Sequence, residues 1–534
     1  MSAAQSTAPP TPFLQTLFAF PESPSRDSRA AAMATSMSQV STGSDVSQQH
    51  HHAGPPLQQD VIFNFINNEF CRSSSRTWMK IFDPVTQKFI TRVPDSNMTE
   101  VTNAVAAADA ALTTWATLPP SKRRKLILNL LVVLPQYADR ITQCLCAEGG
   151  KTLRDAQAEY ERGVDSIEAA CAASHQMVGD HHINQMSEIH TTLEPVGVCV
   201  SITPFNFPFM IPLWSIPFAL LSGNTVVLKP SEKTPSAAQI LAECFWAAGF
   251  PPGVVNIVHG GPSVVDKLLA QPSVGAVSFV GSDIAGERVH DHARATRKRV
   301  QAECSAKNHG VVLADADKKK TLYAIAGGAF GSAGQRCMAL SVVVLVGEAR
   351  SWADDIAQLA MTLIVGSGTQ PGVDMGPLIT KSAKKRVEDV ITAAESEGAT
   401  VLLDGRDYLV PDHPEGNFVG PTILTNVQSY MTCYQEEIFG PVLCCMEVET
   451  MEEAIQLINS NRYGNGCTLF TSSPSQAQLF QKAVNVGQVG INVPVLGTVL
   501  RTGNKESFLG DHNVSGHGMW QFYTMTKTIT TIWH

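Results

Sequence analysis

The stretch VGVCVSITPFNFPFMIPLWSIPFALLSGNTVVLK, residues 196–229, decides the fold class of this chain. It holds two β-branched runs, 196–203 and 225–228, and carries no charged residue before Lys229. A membrane-spanning helix would explain such apolarity, but its four prolines and several polar residues would break that helix repeatedly. The two runs therefore predict buried strands, and the residues between them predict a loop and a core-facing helix.

Strand and helix patterns alternate on the carboxyl side of this stretch. Further strand-like runs lie at 254–258 and 274–280, with helical patterns at 235–249, 262–270 and 284–295. A second alternation has strand-like runs at 310–313, 341–346 and 400–403, with helical patterns at 351–364, 381–398 and 451–460. Buried parallel strands joined by crossover helices produce this rhythm. The sequence therefore predicts two α/β lobes in series.

The two ends of the chain differ from this pattern. Residues 1–60 are rich in Ser, Ala, Pro and Gln, and such a composition buries too little surface to offset its ordering entropy, which predicts a disordered leader. That leader has few arginines for an import signal. Residues 61–95 predict short strands, and 99–150 and 152–171 predict helices. The terminal run 524–533 predicts a strand, and its place at a chain terminus suggests pairing with something else, for which another subunit is one candidate.

Composition excludes several classes of protein. The 534 residues are 44% hydrophobic and 16% charged, which is enough apolar material for large cores. The net charge of −9 argues against a nucleic-acid binder, which would need a basic face. The 12 cysteines are scattered without zinc-type spacing, so we expect neither a metal site nor a disulfide framework. A reducing compartment fits best.

One cysteine follows a run of small residues. Cys337 lies in GQRCMA (334–339), directly after GGAFGSAG (327–334). Small residues let the backbone approach a ligand closely. An attacking cysteine needs help to ionise, which Arg336 and nearby helix amides could provide. Because the chain has 12 cysteines, this loop alone leaves a structural role open.

Other segments place polar residues where α/β folds bind ligands. Asn206 lies in the apolar run PFNFP, where its amide is either satisfied by backbone or donates to an oxyanion. The segments 229–232 and 281–282 each follow a predicted strand, which is where α/β folds bind nucleotides, although an ordinary turn is the alternative. The segment QEEIFGP (435–441) places acids in a turn-rich region, where most acids are merely solvated.

Taken together, these motifs resemble the aldehyde dehydrogenase superfamily in order and spacing. The match covers roughly residues 61–534 and rests on Asn206, the 229–232 loop, Gly281-Ser282, Glu303, Cys337 and Glu437. A closer resemblance is to the CoA-acylating branch, the methylmalonate-semialdehyde dehydrogenases. It is carried by the strings PFMIPLW (208–214), AKNHG (306–310), GQRCMAL (334–340) and GNFVGPTI (416–423).

The resemblance implies an α/β fold of the aldehyde dehydrogenase type, with a Rossmann-like NAD-binding lobe, a catalytic lobe and a β oligomerisation arm. The implied boundaries are 61–302 for the NAD-binding domain, 303–490 for the catalytic domain and 491–534 for the C-terminal segment and arm. An inserted oligomerisation strand pair is implied near 175–195. Family members of this kind form homo-oligomers, here a tetramer, and the branch resides in the mitochondrial matrix, whereas the leader's composition favours the cytosol.

The resemblance also implies the chemistry. Cys337 would attack the aldehyde, and the Asn206 amide and the Cys337 backbone N–H would hold the oxyanion. Hydride would pass to NAD and leave a thioester on Cys337. The implied cofactor residues are Lys229, Ser231 and Glu232 at the adenosine ribose, Gly281 and Ser282 at the pyrophosphate, and Glu437 and Phe439 at the nicotinamide ribose. A carboxylate at Glu232 favours NAD over NADP.

The closer branch oxidises methylmalonate or malonate semialdehyde to propionyl- or acetyl-CoA with loss of CO₂, and coenzyme A is its co-substrate. Arg162 and Arg336 match the positions that bind the substrate's carboxylate, with surface salt bridging as the alternative. The resemblance implies no nucleic-acid, membrane or metal partner.

Two departures bear on this reading. The acylating branch typically has asparagine where this chain has Glu303, so Glu303 could instead be the base of a hydrolytic aldehyde dehydrogenase, or a solvated loop acid. The segment 495–503 lacks the aromatic, proline-rich run that usually walls the substrate pocket, and Arg501 there could offer a new contact.

Overall fold

The computed structural model describes residues 60–184, 187–494, 503–510 and 517–533. The strands, in chain order, are β1 (Asn64–Ile66), β2 (Glu69–Cys71), β3 (Trp78–Phe82), β4 (Phe89–Pro94), β5 (His181–Ile183), β6 (Glu188–Pro195), β7 (Val198–Ile202), β8 (Thr225–Lys229), β9 (Val255–Ile257), β10 (Val274–Val280), β11 (Arg299–Glu303), β12 (Asn308–Val312), β13 (Leu340–Val346), β14 (Thr400–Leu403), β15 (Thr422–Thr425), β16 (Val442–Val448), β17 (Gly466–Phe470), β18 (Gln488–Ile491), β19 (Phe508–Gly510) and β20 (Thr524–Thr531).

The helices, in chain order, are α1 (Met98–Thr117), α2 (Pro120–Val133), α3 (Ala138–Gly149), α4 (Leu153–Ala173), α5 (Pro212–Leu221), α6 (Ser236–Ala247), α7 (Pro262–Leu269), α8 (Asp283–Ala295), α9 (Lys318–Phe330), α10 (Ala353–Met361), α11 (Lys381–Ser396), α12 (Thr432–Gln435), α13 (Met451–Ser460), α14 (Pro474–Ala483) and α15 (His517–Tyr523).

The first lobe is built on an eight-stranded sheet in the order β19-β11-β10-β7-β8-β9-β1-β2. Its five central strands, from β11 to β9, are parallel, and strand order reverses between β7 and β10. In open α/β sheets such a reversal creates a crevice beyond the carboxyl ends of the strands, where ligands bind. The predicted open α/β sheet is confirmed, and its crevice lies beside the ends of β7 and β10.

The second lobe contains a seven-stranded sheet in the order β14-β15-β16-β13-β12-β17-β18, parallel except for β14. Contacts between the lobes join residues that follow strands of the first sheet to residues that precede strands of the second. Asn206, after β7, bonds Gln335, before β13. Asp283, after β10, pairs with Arg462, before β17. The carboxyl edge of one sheet therefore meets the amino edge of the other.

The C-terminal residues return to the first lobe before they reach the arm. Strand β19 pairs with β11, and Trp520 of α15 is 1% exposed, with its ring 4.8 Å from that of Phe218. Burial of α15 brings the following strand beside β6, and β20 pairs with β6 from Thr524 opposite Pro195 to Thr531 opposite Glu188. The partner of this terminal strand in the structure is therefore β6 of the same chain, and pairing with another subunit stays a prediction.

The predicted helical region 99–150 is three helices rather than one. Pro119 and Pro120 separate α1 from α2, and Pro135 lies in the short 3₁₀ turn before α3, because proline cannot donate within a helix. The end predicted for this region at residue 150 is confirmed, since Gly150 ends α3 with φ of 68°.

Some of the sequence predictions concern residues outside the ranges that the structure describes, and others are compared with the structure only within those ranges. Within those ranges, no helix is long and apolar enough to cross a bilayer, and no cluster of three or more His, Cys, Asp or Glu side chains is arranged to hold a metal. The leader through residue 59 and the altered segment 495–502, which includes Arg501, lie outside the described residues.

Candidate active site

The loop before Cys337 has an unusual backbone. Ser332, Ala333 and Gly334 all adopt left-handed φ values of 51°, 53° and 69°. A Cβ added at Gly334 would lie 2.1 Å from the carbonyl oxygen of Gly440, so only glycine allows this approach. Strain of this kind persists where surrounding structure enforces it, and it is typical of functional loops. Glycine at this position thus allows close approach of the Gly440 backbone, and the approach of this loop to a ligand stays a prediction.

Cys337 differs from most cysteines of the chain because it is half-exposed, whereas nine of the 12 are buried. Its carbonyl oxygen accepts hydrogen bonds from the side-chain amides of Asn308, at 2.8 Å, and Asn465, at 3.2 Å. Asn308 also donates to the carbonyl of Ala339 at 3.0 Å. Two amides at the amino ends of β12 and β17 thus hold the backbone at Cys337 and directly after it.

Asn206 reaches the same loop from the other lobe. Its side chain is 6% exposed, and its Nδ2 donates to the carbonyl oxygen of Gln335 at 3.1 Å. The alternative of a backbone partner is confirmed, and donation to an oxyanion stays a prediction; the backbone partner, Gln335, lies two residues before the candidate nucleophile. An amide nitrogen carries two hydrogens, and within the described residues only this one bond is formed.

The two predicted carboxylate-binding arginines have different surroundings. The guanidinium of Arg336 pairs with Asp155 at 2.7 Å, and its Nε donates to Ser332 at 3.3 Å. Arg162 is half-buried; burial lowers the pKa of its guanidinium, and the nearby positive charge of Arg336 lowers it further. In the described part of the chain, no side-chain hydrogen bond or ion pair engages Arg162. The positive charge of Arg336 is therefore neutralised by Asp155, whereas the positive charge of Arg162 is neutralised to a smaller extent.

Glu303 is the last residue of β11 and is 8% exposed. Its carbonyl oxygen accepts from the backbone N–H of Gly281 at 3.0 Å, which joins the ends of β10 and β11. The alternative of a solvated loop acid is therefore wrong, because the strand continues to this residue and buries it at the carboxyl edge of the sheet.

Lys229 ends β8 at the same edge. Its buried Nζ donates to the carbonyl oxygen of Gly260 at 2.8 Å and lies 3.7 Å from the Glu232 carboxylate. Burial lowers the pKa of this lysine, and Glu232 partly opposes that effect. Ser231 is also buried, with its hydroxyl accepting from the N–H of Lys233 at 3.2 Å. The ordinary charged turn that the sequence left open does not fit such burial.

The Gly281-Ser282 turn begins α8. Ser282 is the N-cap, and its hydroxyl accepts from the N–H of Ala285 at 3.4 Å. A Cβ added at Gly281 would lie 2.5 Å from the ring of Phe279, so glycine lets the chain pass close to this strand. A helix N-terminus beyond the carboxyl end of a parallel strand attracts phosphate groups.

Glu437 and Phe439 face this edge from the second lobe. A Glu437 carboxylate oxygen accepts from the N–H of Ala306 at 3.0 Å. Burial raises the pKa of Glu437 to about 7, although hydrogen bonds from Ser305 and Ala306 oppose the shift. Phe439 has φ of 55°, and its ring lies edge-on to Phe205 at 5.9 Å.

Two cations that the sequence analysis gave no role hold the Glu437 segment. The Nζ of Lys307 donates to the carbonyl oxygens of Cys433 and Glu436 at 2.5 and 2.7 Å. The guanidinium of Arg386 donates to the carbonyl oxygens of Glu437 and Ile438, each at 2.5 Å. Lys307 belongs to the AKNHG string, which was its only sequence signal, and nothing in the local pattern marks Arg386.

Comparison with known proteins agrees with this geometry. Residues 70–529 match the model of the aldehyde dehydrogenase family, and the chain belongs to that family. It is similar to the acylating, mitochondrial methylmalonate-semialdehyde/malonate-semialdehyde dehydrogenases of Homo sapiens, 45% identical over 474 residues (88% of this chain, 89% of that protein), and Bos taurus, 43% identical over 509 residues (94% and 95%).

Solved structures give the same result. A methylmalonate-semialdehyde dehydrogenase from Oceanimonas doudoroffii superposes with a TM-score of 0.87 at 40% identity, covering 89% of this chain and 99% of that one. A structure from Sinorhizobium meliloti that is complexed with NAD has a TM-score of 0.87 at 35% identity, covering 89% and 98%. The expected fold is therefore confirmed.

Proposed function

We propose that this chain catalyses the NAD-dependent oxidation of methylmalonate or malonate semialdehyde to propionyl- or acetyl-CoA, with loss of CO₂. The observation that carries the proposal is the surroundings of the half-exposed Cys337: the Asn206 amide donates to Gln335, two residues before it, and the half-buried Arg162 is close enough to Arg336, the residue before it, for their charges to interact. The names of the relatives support the same substrate class.

The residues at the carboxyl edge of the first sheet fit NAD. The buried Lys229 and the half-buried Glu232 suit the adenosine ribose, and the glycine-permitted turn at Gly281-Ser282 suits the pyrophosphate at the start of α8. Glu437 and Phe439 suit the nicotinamide ribose. When bound, this cofactor supplies the hydride acceptor. We assign NAD binding to residues 61–302 and catalysis to 303–490.

The chain's own residues perform the remaining steps. The Cys337 thiolate attacks the aldehyde carbon, and the carbonyl electron pair moves onto oxygen. The Asn206 amide donates to this oxyanion, which is typically worth about 3 kcal/mol in the transition state. Loss of hydride from the same carbon leaves a thioester on Cys337. The thiol of coenzyme A then displaces Cys337, and the cysteine sulfur regains its proton.

Arg162 is our principal candidate for the substrate's own carboxylate. A partly desolvated guanidinium binds carboxylate more strongly than a solvated one, and its planar fork can grip both oxygens. Arg336, whose charge is balanced by Asp155, acts beside it rather than alone. When this carboxylate departs as CO₂, its bonding electron pair passes to the α-carbon, which takes up a proton.

A second candidate function is a hydrolytic aldehyde dehydrogenase acting on another aldehyde. It is favoured by Glu303, a buried carboxylate at the carboxyl edge of the first sheet, where a general base could activate water. The two functions differ in what cleaves the thioester, so the identity of the released product separates them.

The first test is NADH formation from malonate semialdehyde with and without coenzyme A, with the product identified. We expect coenzyme A to raise steady-state turnover at least about tenfold, because a thiolate attacks a thioester faster than unactivated water. The product should be acetyl-CoA, and Glu303→Gln should retain this activity. Release of a free acid at a rate independent of coenzyme A, together with loss of activity in Glu303→Gln, would support the hydrolytic function instead.

A pH dependence of NAD binding follows from Glu437. Ribose hydroxyls donate to its ionised form, whereas burial raises its pKa to about 7, with Asp283 adding to the shift and Lys307 opposing it. NAD affinity should therefore fall below neutral pH, by up to about tenfold per pH unit. Calorimetric titration at several pH values measures this, and Glu437→Gln should abolish the slope. An unchanged slope in that variant would assign the titration to another group.

We also propose that the arm joins subunits of a homo-oligomer, a tetramer by family resemblance. The strand β20 is largely exposed along its length and, in the described ranges, pairs through only one of its edges. The relatives named mitochondrial support the mitochondrial matrix over the cytosol as the compartment.

A further inference from the structure

Helix α4 carries three charged side chains on one face, at positions 155, 159 and 162. A spacing of four and then three residues places them in a row along a helix. Asp155 pairs with Arg336 of the nucleophile loop, so this row faces the active site. The middle residue, Glu159, has no role in the chemistry described above, yet it is fully buried.

Glu159 binds the loop that carries Asn206. One carboxylate oxygen accepts from the backbone N–H groups of Phe209, at 2.9 Å, and Met210, at 3.2 Å. The other carboxylate oxygen pairs with the ammonium of Lys151. Both acceptor atoms are thereby occupied, and the backbone three and four residues after Asn206 is held to α4.

Lys151 holds the same loop at a second point. Its Nζ lies 4.0 Å from the ring centroid of Phe207, the residue directly after Asn206, in a cation–π contact. The helix also lies directly against the loop, since a Cβ added at Gly163 would be 2.6 Å from the ring of Phe209. The ion pair thus fixes the segment from 207 to 210, and with it the direction in which Asn206 leaves the backbone.

A buried ion pair contributes little net free energy to the stability of a fold. The side chains of Lys151 and Glu159 are 6% and 0% exposed, and removing two charges from water costs as much as their attraction returns. Apolar residues of similar volume would serve packing equally well, but they could not accept the two N–H groups. The pair is therefore better explained by its hydrogen bonds to the loop, which fix the position of that loop, than by its effect on stability.

We propose that Lys151 and Glu159 are positioning residues that hold the Asn206 amide as the oxyanion donor. The proposal rests on the proposed function, in which Asn206 stabilises the thiohemiacetal oxyanion. Displacing a catalytic group by about 1 Å can cost on the order of a hundredfold in rate, so rigid support of this amide has a measurable consequence.

The test begins with Glu159→Gln. Glutamine keeps one acceptor oxygen but places an amide N–H group against the Lys151 ammonium, so two donors face each other. We expect kcat to fall on the order of tenfold to a hundredfold, with KM for NAD unchanged. Adding Lys151→Met removes the opposing donor but also the cation–π contact with Phe207, so kcat of the double variant should recover only in part and stay about threefold or more below wild type. No recovery would overturn the positioning role.

A double-mutant cycle shows whether the pair acts through Asn206. Asn206→Ala alone should lower kcat by about 10²- to 10³-fold. Glu159→Gln placed on that background should lower it by less than about twofold further, because the group being positioned is already gone. If the two losses multiply instead, Glu159 acts independently of Asn206 and the proposal fails.

The matched control is Glu243→Gln. Glu243 is another buried carboxylate with a basic partner, Arg140, at 2.7 Å, but it joins α3 to α6 away from the nucleophile loop. It should lower Tm comparably to Glu159→Gln without changing kcat. A comparable fall in kcat for Glu243→Gln would mean that loss of kcat reports general damage to the fold, which would overturn the proposal.

The burst of nitrophenolate from a nitrophenyl ester provides a second readout, because acyl transfer to Cys337 needs the oxyanion donor but neither NAD nor coenzyme A. A wild-type burst without semialdehyde turnover would contradict the proposed function alone. A wild-type burst that Glu159→Gln leaves unchanged would contradict the positioning role alone.

Discussion

Replacing Cys337 by alanine should lower kcat for NADH formation by at least about 10⁴-fold, the scale seen when a covalent nucleophile is removed. Without the sulfur no thiohemiacetal forms, and hydride cannot leave from a carbon that carries no negatively charged oxygen. NADH absorbance under saturating semialdehyde, NAD and coenzyme A measures the loss, and titration with NAD checks that cofactor binding is unchanged.

Cys71→Ala is the control for this variant. Cys71 is also half-exposed, but it lies on β2 at the edge of the first sheet. Its replacement should leave kcat within about twofold of wild type, as expected for a surface position without a special role. If Cys337→Ala retained more than about one per cent of kcat, a covalent thioester at this residue could not be on the reaction path.

Replacing Arg162 by methionine should lower kcat/KM for malonate semialdehyde by about a hundredfold, the value expected for a charge-assisted pair at a partly desolvated site. The effect should depend on the substrate, because propanal lacks the carboxylate. For propanal we expect a change of less than about threefold. The ratio of the two kcat/KM values therefore measures carboxylate recognition separately from catalysis.

Arg154→Met provides the matched comparison, because Arg154 lies on the same helix but is exposed. It removes the same charge and should change the substrate ratio by less than about twofold, since exposed charges are screened by solvent. Equal losses for propanal and malonate semialdehyde in Arg162→Met would assign Arg162 a structural role and leave the substrate's carboxylate without its proposed partner.

Local patterns predicted most of the first lobe correctly. The strand runs at 225–228 and 274–280 differ from β8 and β10 by at most one residue, because β-branched runs between glycine and proline signals are strong strand indicators. In the second lobe, strands β15 to β18 were not predicted. Strands β15, β17 and β18 are short and mixed in polarity, whereas β16 is a longer, mostly apolar run that the sequence analysis missed. The short strands form through pairing with neighbouring strands that lie elsewhere in the chain.

The structure brings together those predicted active-site residues whose local sequence is chemically distinctive, such as Cys337 after its small-residue run. Asp155, Lys151 and Glu159 were missed for a different reason. Asp155 contacts Arg336 across 181 residues of sequence, and Glu159 contacts Phe209 across 50. In sequence, Asp155 and Glu159 on α4 and Lys151 just before it are indistinguishable from the solvated acids and bases of any amphipathic helix.

The sequence by itself determined the α/β class and the family resemblance, and it singled out Cys337 and Asn206 as candidate nucleophile and amide donor, because these follow from runs of adjacent residues. Only the tertiary structure decided that β20 pairs within its own chain, that Arg336 is neutralised by Asp155, and that Arg162 is the less balanced cation. These properties depend on which charges and backbone groups come into contact after folding. The residues in contact are far apart in the sequence, so no local pattern predicts them.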